Sequence, residues 1–357
     1  MPKKRQEVDR LKPNPKLYHL PFTLDKFNDM PYRRYGKTGL RVSNVGLGTW
    51  KFGLPETGDN SRVSEKTAFK ILDKAIEEGV TFWDTANRYN ESSGNSERII
   101  GRWFRSNPDQ RRNVELATKV YGQMDGLTPN YSRLSRVNIM EATYACLERL
   151  HTDRIEIMQF HWFDETTPVE ESLMAIEDLI SLDLVRYFGV SNHSLEQIAK
   201  YSALSVSFKR ARIQSVQNQF DILCGEDPAR KGVLSYCAEN ELSFIAWSPL
   251  RGGLLTERYL DRSKVGPGDR LVDENLLEKE LTEPVLKKLN QLCQAAHEWS
   301  LTLTQLVIAY MLQLPGMGPV IAACSNPKQL LENSKAGKIL LQPEQTARIK
   351  KILSEGI

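Results

Sequence analysis

The feature that most constrains this fold is a regular alternation of two sequence patterns. Short runs of β-branched or apolar residues are separated by longer stretches whose apolar residues recur at helical spacing. This rhythm is typical of βαβ units that form a parallel sheet. Eight runs are predicted as strands: Val45–Gly48, Val80–Trp83, Val114–Thr118, Ile155–Gln159, Tyr187–Val190, Ile213–Val216, Ser243–Trp247 and Pro319–Ala322. Eight strands suffice to close a barrel, so we predict an α/β fold, a (β/α)8 TIM barrel.

The stretches between these strands contain the predicted helices. In one of them, Leu173, Ile176, Leu179 and Ile180 form an apolar stripe that would pack on the sheet. The predicted helices are Glu65–Glu78, Val137–Leu150, Pro168–Ser181, Leu195–Tyr201, Pro284–Trp299 and Thr304–Leu314. The longest strand-free interval before the last strand, from Ser248 to Glu283, is rich in glycine and charge, so we expect a mobile loop over an active site.

Two segments precede the barrel. Tyr32–Val45 has two short strand-like runs around Gly-Lys-Thr-Gly, which predicts a hairpin. Residues 1–30 contain Pro2, Pro13, Pro15 and Pro21 without a sustained period, so we expect an irregular extension. No change of composition divides the remainder, and residues 31–357 are predicted to form a single barrel domain.

Composition excludes several classes of function. The formal charge of +3 is small for 357 residues, so neither nucleic acid nor an anionic membrane is expected as the main partner. No stretch approaches the roughly 18 apolar residues of a membrane-spanning helix. The five scattered cysteines never form a C-x-x-C pair, which disfavours disulfides and a metal site. The basic start MPKKRQEVDRLKPNP lacks a signal-peptide pattern, so we expect a cytoplasmic protein.

Polar residues directly after the strands are the candidates for catalysis, because functional groups of such barrels gather at the carboxyl ends of the strands. Asp84, Tyr89, Lys119 and His161 are placed there. Tyrosine has an ordinary pKa of about 10, which an adjacent ammonium would lower. Lys119 could supply this charge, Asp84 could keep Lys119 protonated, and His161 could orient a carbonyl group.

Each of these residues also has a purely structural interpretation. Asp84 could form a turn, Lys119 could be a solvated charge, Tyr89 a surface aromatic and His161 a hydrogen-bonded histidine of the barrel. Their joint placement favours catalysis. A Schiff-base aldolase with Lys119 as the nucleophile remains a separate alternative.

Seven segments resemble, in order and spacing, the motifs of aldo-keto reductases. They are GLGTW (46–50), FWDTANRYNESSGNSERIIG (82–101), ATKVYG (117–122), ERLHTDRIEIMQFHWFD (148–164), YFGVSN (187–192), WSPLRGGLL (247–255) and VIAACSNPKQLLEN (320–333). The resemblance implies that Tyr89 is the general acid, that Lys119 and Asp84 tune it, and that His161 orients the carbonyl. It implies hydride transfer from a nicotinamide cofactor to an aldehyde or ketone, reversible as alcohol oxidation.

The same resemblance implies the cofactor contacts. Ser191, Asn192 and Gln217 would bind the carboxamide, and Trp247 would stack on the nicotinamide. The pyrophosphate would lie against Ser248, Leu250, Gly252 and Arg258, and the adenosine against Ser325, Gln329, Glu332 and Asn333. The chain departs from the family at Ala322 and Ala323, and Gln329 stands where several members have arginine. These departures weaken the expected electrostatic binding of a 2′-phosphate. NADPH/NADP+ is still the expected cofactor, and NADH stays open.

Trp50 and Trp162 adjoin strand ends and could line an apolar pocket for a small-molecule carbonyl substrate. Since some barrels of this family regulate membrane channels, a cofactor-sensing regulatory subunit with little turnover is the alternative function. The oligomeric state stays open.

Overall fold

The computed structural model describes residues 15–355 and contains a closed barrel of eight parallel strands. In chain order these strands are β1 Val45–Gly48, β2 Phe82–Asp84, β3 Glu115–Val120, β4 Ile155–Phe160, β5 Val185–Ser191, β6 Ile213–Asp221, β7 Ser243–Trp247 and β8 Met317–Ala323. Each strand pairs with its neighbours in sequence, and the pairing of β8 with β1 closes the ring. The predicted (β/α)8 barrel is confirmed.

Helices alternate with the strands outside the barrel. They are Glu65–Glu77, Asn95–Ser106, Arg136–Arg149, Val169–Ser181, Leu195–Ser205, Val233–Glu239, Glu283–Glu298, Leu303–Met311, Pro327–Ala336 and Pro343–Ser354. All six predicted helices are present, with ends shifted by a few residues. Capping boxes fix two of the starts, at Ser194 with Gln197 and at Thr302 with Gln305.

The sequence analysis named no helix over Asn95–Ser106, although its apolar pattern was visible. Ile99, Ile100, Trp103 and Phe104 are buried on one face of this helix, at the spacing that one helical face requires. Gly101 and Arg102 separate the two apolar pairs and obscured the pattern. Gly101 is needed there because a side chain would collide with the backbone of Arg149.

The predicted hairpin is present and closes the amino-terminal end of the barrel. Met30–Arg34 pairs antiparallel with Arg41–Ser43, and Lys26–Phe27 adds a third short strand. Tyr35 is fully buried, and its hydroxyl lies 2.5 Å from Ser215 Oγ. Tyr35 and Val42 pack against inward-facing barrel side chains: Phe82, Ala117, Ile157, Ile245 and Ile321. Residues 1–14 of the predicted extension lie outside the described residues.

Arg33 joins this hairpin to the last strand. Its Nη1 donates to the carbonyl oxygens of Met317 and Gly318 at 2.7 and 2.8 Å, and its Nε donates to Asn44 Oδ1 at 2.8 Å. One side chain thereby connects the beginning and the end of the barrel. In residues 15–355, no helix combines the length and apolar character needed to cross a membrane.

Candidate active site

A buried ammonium group organises the carboxyl ends of β2 and β3. Lys119 is 1% exposed, and its Nζ donates to Asp84 Oδ2 at 2.6 Å, to the Thr85 carbonyl at 2.9 Å and to Tyr89 Oη at 2.8 Å. All three of its N–H donors are therefore satisfied. The ring of His161, directly after β4, lies 5.9 Å from the ring of Tyr89. The structure brings together the four residues that the sequence analysis selected.

Two glutamine side chains hold the second oxygen of the Asp84 carboxylate. Gln217 Nε2 donates to Asp84 Oδ1 at 2.7 Å, and Gln159 Nε2 donates to the same atom at 3.3 Å. Both glutamines are buried. The sequence analysis missed Gln159, although a polar residue in the otherwise mostly apolar strand Ile155–Phe160 was a signal. Asp84 is thus fixed from both sides of the barrel interior.

Tyr89 leads into a left-handed backbone turn. Asn90, Glu91 and Ser92 have φ values of 55°, 56° and 62°. Residues other than glycine rarely adopt this backbone conformation, and it is often found at functional sites. Asn90 Nδ2 donates to the Phe52 carbonyl at 2.8 Å, which anchors the turn. The strained turn therefore positions the Tyr89 hydroxyl over Lys119.

Burial sets the protonation of the site. It raises the pKa of Tyr89 well above its ordinary value, and the Asp84 carboxylate adds to this effect. This direction is the opposite of the predicted lowering by Lys119, because desolvation and Asp84 both disfavour a phenolate. Burial, with the charges of Lys119 and Arg88, lowers the pKa of His161 to about 3. The resting site therefore holds a neutral phenol and a neutral imidazole at pH 7.

These buried histidines predict a loss of stability in acid. Burial also lowers the pKa of His193, to about 4. Because an unfolded histidine titrates near 6.5, the folded protein has its full stability above that pH and loses it as the pH falls towards 3 to 4. Urea unfolding measures the free energy of unfolding between pH 7 and 4.5. This free energy should fall less steeply with decreasing pH in His161→Gln and in His193→Gln than in the wild type. His297→Gln, at an exposed position, is the control; equal declines in all four proteins would contradict the prediction.

A cavity of about 1130 Å³ opens above this cluster. Asp84, Tyr89 and His161 line its base, and Lys119 lies beneath them. All predicted cofactor and substrate residues line the same cavity: Trp50, Trp162, Ser191, Asn192, Gln217, Trp247, Ser248, Leu250, Gly252, Arg258, Ser325, Gln329, Glu332 and Asn333. The cavity therefore joins the acid cluster to every other selected position.

Asn192 connects the acid cluster to the next part of the cavity. Its Nδ2 donates to the His161 carbonyl at 3.1 Å, and its Oδ1 accepts from Trp247 Nε1 at 3.2 Å. Its φ of 61° is left-handed, a conformation that asparagine tolerates better than most residues. Ser191, Asn192 and Gln217 thus form a polar amide-rich patch beside Tyr89 and His161.

Residues 248–281, which we call the strap, cover this cavity. The predicted loop is folded into short helical turns: Arg251–Gly253, Glu257–Leu260, Arg262–Lys264, Arg270–Asp273 and Leu277–Glu280. Arg251 ties the strap to Asp221 at 2.9 Å, and Arg62 reaches Asp273 from the other side of the cavity. Ion pairs therefore hold the strap at both ends.

Inside the strap, Arg258 forms an ion pair with the buried Asp269, and Arg270 lies over the Trp50 ring at 4.9 Å. Lys51 Nζ lies 4.2 Å from the same ring. The sequence analysis selected Arg258 and Trp50 but not Arg270, because cation–π contacts between distant segments leave no local pattern. Arg258, Arg270 and Lys51 thus bring three cationic groups to this part of the cavity, two of them paired with the strap carboxylates Asp269 and Glu274.

The far end of the cavity lies at the start of Pro327–Ala336. Gln329 Oε1 accepts from the backbone N–H of Ser325 at 2.8 Å and from its hydroxyl at 2.9 Å. Glu332 accepts a hydrogen bond from Thr302, and Asn333 is buried. The four predicted adenosine contacts therefore form one polar surface beside a helix N-terminus.

One further group of polar side chains lies outside the cavity lining. Glu257, Cys293 and His297 place one ligand atom each within 4.8 Å of one another. His297 Nε2 lies 3.0 Å from Glu257 Oε1, so an ordinary hydrogen bond or ion pair accounts for this contact. The absence of a metal site stays a prediction.

Known proteins resemble this chain over most of its length. The chain is 35% identical to the uncharacterized oxidoreductase YrpG of Bacillus subtilis over 323 residues, which cover 88% of this chain and 93% of the relative. It is 31% identical to a probable voltage-gated potassium channel subunit beta of Oryza sativa over 91% of this chain and 97% of the relative. It is 27% identical to versiconal hemiacetal acetate reductase of Aspergillus parasiticus, over 88% of this chain and 95% of the relative.

The family model described as the aldo/keto reductase family matches residues 44–354. This range contains the whole barrel, the strap and all residues of the proposed site. The chain therefore belongs to the aldo/keto reductase family, whose oxidoreductase members support carbonyl reduction as its general chemistry.

Proposed function

We propose that this protein reduces an aldehyde or ketone with NADPH, with Tyr89 as the general acid, and that it oxidises the alcohol in the reverse direction. The observation that carries the proposal is the position of Lys119, which donates to both Asp84 and Tyr89 at the base of the cavity. An acid for carbonyl reduction must reach the cavity and remain protonated at neutral pH. Tyr89 lines the cavity and its raised pKa meets the second condition.

Tyr89 delivers the proton and its neighbours determine where it goes. Lys119 donates to Tyr89 Oη, and the Tyr89 hydroxyl donates to Asp84 Oδ2 at 3.3 Å. A carbonyl oxygen in the cavity would replace Asp84 as the acceptor of this long hydrogen bond. As the proton leaves, the Lys119 ammonium stabilises the developing phenolate, which lowers the barrier to transfer. Neutral His161 can donate an N–H to the same carbonyl oxygen and so orient the substrate.

The cavity residues fit a nicotinamide dinucleotide. The amide-rich patch of Ser191, Asn192 and Gln217 offers donors and acceptors to a carboxamide, and Trp247 offers an aromatic face beside it. Gly252 and Gly253, both with positive φ, let the strap backbone approach phosphate groups. Arg258 and Arg270 supply positive charge there. When bound, this cofactor supplies the hydride.

The preference for NADPH over NADH rests on charge at the far end of the cavity. A 2′-phosphate would be stabilised by the N-terminus of the ten-residue helix Pro327–Ala336. Gln329 contributes no charge, so we expect a measurable but moderate preference.

Absorbance of NADPH and NADH at 340 nm, followed in parallel with a panel of aldehydes, ketones and sugars, tests the proposal. We expect carbonyl-dependent consumption that is faster with NADPH. Consumption without any added carbonyl compound is the background control. Tight cofactor binding with no consumption on any carbonyl would contradict the proposal.

A second candidate function is a cofactor-sensing regulatory subunit with little turnover. Two relatives named as probable voltage-gated potassium channel subunit beta, from Oryza sativa and Arabidopsis thaliana, favour it. The match to this chain spans 97% of each of these relatives. Cofactor binding without turnover, detected by tryptophan fluorescence, would support this function. The complete Asp84–Tyr89–Lys119–His161 cluster supports the reductase instead.

The geometry disfavours the Schiff-base aldolase. Lys119 is buried, does not line the cavity, and uses all three N–H donors in hydrogen bonds. A nucleophilic amine needs a free lone pair within reach of the substrate. Borohydride trapping should therefore leave Lys119 unmodified.

A further inference from the structure

Two exposed arginines that line the cavity form no ion pair with any residue in the described range 15–355. The basic side chains that line the cavity are Lys51, Arg62, Arg88, Arg133, Arg258 and Arg270. Three of these pair with carboxylates of the strap region. Among the described residues, no ion pair forms with Arg88 or Arg133, whose guanidinium groups donate only to the Gln123 carbonyl at 2.5 Å and to Thr166 Oγ1 at 2.9 Å. Because a guanidinium carries five N–H donors, most of theirs remain available.

Local contacts constrain the stem of Arg88 and the backbone of Arg133. Arg88 lies against Gly122, where an added Cβ would come within 2.1 Å of Arg88 Cδ. Arg133 has a φ of 69°, a conformation that disfavours a non-glycine residue and is often retained for function. Its N–H donates to the Tyr121 carbonyl at 2.5 Å, and its carbonyl accepts from Asn138 Nδ2 at 2.7 Å. These contacts fix the backbone of Arg133 and pack the Arg88 stem against Gly122, while both residues stay exposed to a ligand.

Both arginines contact the segment that follows β3: Arg88 Nη1 donates to the Gln123 carbonyl, and the Arg133 N–H donates to the Tyr121 carbonyl. Arg88 directly precedes Tyr89, and its charge contributes to the lowered pKa of His161. Trp50 lies 6.5 Å from the Tyr89 ring, and Trp162 lies 6.3 Å from the His161 ring. The acid cluster is thus flanked by two half-exposed aromatic walls, with free positive charge at the rim.

We propose that the carbonyl substrate carries a terminal oxyanion, a carboxylate or a phosphate, which Arg88 and Arg133 bind while the carbonyl oxygen lies at Tyr89 and His161. This inference rests on the proposed reductase function. A planar guanidinium matches the oxygen pair of either group. Binding the remote oxyanion fixes the distance between the rim and the reacting carbonyl, which selects substrates by length as well as by charge.

Matched pairs of aldehydes test the charge requirement. In one pair, 4-carboxybenzaldehyde is compared with 4-nitrobenzaldehyde, its uncharged isostere. In the other, glyceraldehyde 3-phosphate is compared with glyceraldehyde, which distinguishes phosphate from carboxylate. The wild type should have the lower KM for the charged member of at least one pair. Added salt should raise that KM while leaving the neutral partner unaffected.

Charge removal at the rim should act on charged substrates alone. In Arg88→Met/Arg133→Met, we expect the KM for the preferred charged aldehyde to rise by about tenfold or more, since hydrogen bonds to charged groups are worth about 1.5–3 kcal/mol. The ratio of kcat/KM for the charged member to kcat/KM for the neutral member should therefore fall by about tenfold or more. Arg212→Met, which removes an exposed charge at the amino-terminal end of β6, is the matched control and should behave like the wild type.

The outcomes separate this inference from the proposed function. Reduction of neutral aldehydes with no preference for charge would overturn the oxyanion inference and leave the reductase intact. Equal effects of the double variant on both members of a pair would also overturn it. If no aldehyde is reduced, the reductase proposal fails. The oxyanion site is then tested by itself, by measuring the binding of terephthalate, a carboxylate ligand, through tryptophan fluorescence. Loss of that binding in the double variant but not in Arg212→Met would uphold the oxyanion site, and unchanged binding would overturn it.

Discussion

Replacing Tyr89 by phenylalanine should lower kcat for carbonyl reduction by about 10²- to 10⁴-fold, the usual contribution of a positioned general acid. The ring would stay in contact with Trp50 and His161, so the cavity shape should change little. Because the hydroxyl lies at the acid cluster, the Kd for NADPH should stay within about twofold of the wild type. Rapid-mixing absorbance at 340 nm gives the rate, and tryptophan fluorescence gives the Kd.

Tyr121→Phe is the matched control for this variant. Tyr121 lines the same cavity but does not belong to the Asp84–Lys119 cluster, so its activity should remain close to that of the wild type. Turnover in Tyr89→Phe within about threefold of this control would remove Tyr89 from its role. A parallel loss in both variants would point to a general effect on the cavity.

Replacing Lys119 by methionine should lower the free energy of unfolding by about 3–5 kcal/mol and abolish most of the activity. The change leaves the Asp84 carboxylate buried without its counter-charge, and breaking one partner of a buried ion pair has this cost. Asp84 is almost completely buried and lies 2.6 Å from Lys119 Nζ. Urea unfolding at pH 7 measures the stability, and NADPH consumption measures the activity.

Two further variants separate charge from packing. Asp84→Asn/Lys119→Met removes both charges, so it should recover much of the stability while the activity stays low. Lys74→Met removes a surface lysine that pairs with Glu77 and Glu78, and it should cost less than about 1 kcal/mol. If Lys119→Met were as stable as Lys74→Met, the predicted loss of about 3–5 kcal/mol on breaking the buried ion pair would be wrong.

Local patterns were sufficient to predict the barrel. Each strand is a short apolar run and each helix has an apolar face, so composition and period identify the elements one at a time. Strand ends were harder to predict. Strand β6 continues past Val216 to Asp221 because Asn218 and Gln219 pair with Ala246 and Trp247 of β7. The paired residues are 28 positions apart in the sequence, so no local pattern reports the pairing. The polar residues Asn218 and Gln219 also interrupt the apolar run that predicted the strand.

The candidate site shows the same division. Asp84, Tyr89, Lys119 and His161 lie at or just after the carboxyl ends of strands, and that position selected them. Gln159, Arg88, Arg133 and Arg270 were not selected, because their contacts join segments distant in sequence. The direction of the Tyr89 pKa also depended on how deeply its hydroxyl is buried, which no local pattern reports.

The bonds of Arg33 have a consequence for biosynthesis. Its partner carbonyl on Met317 is separated from it by 284 residues, and translation at about 5–20 residues per second needs roughly 15 to 60 s to make that length. The ring cannot close during this time, so the growing chain carries unpaired strand edges and apolar faces that chaperones must shield. The barrel therefore closes, by the pairing of β8 with β1, only near the end of translation or after it.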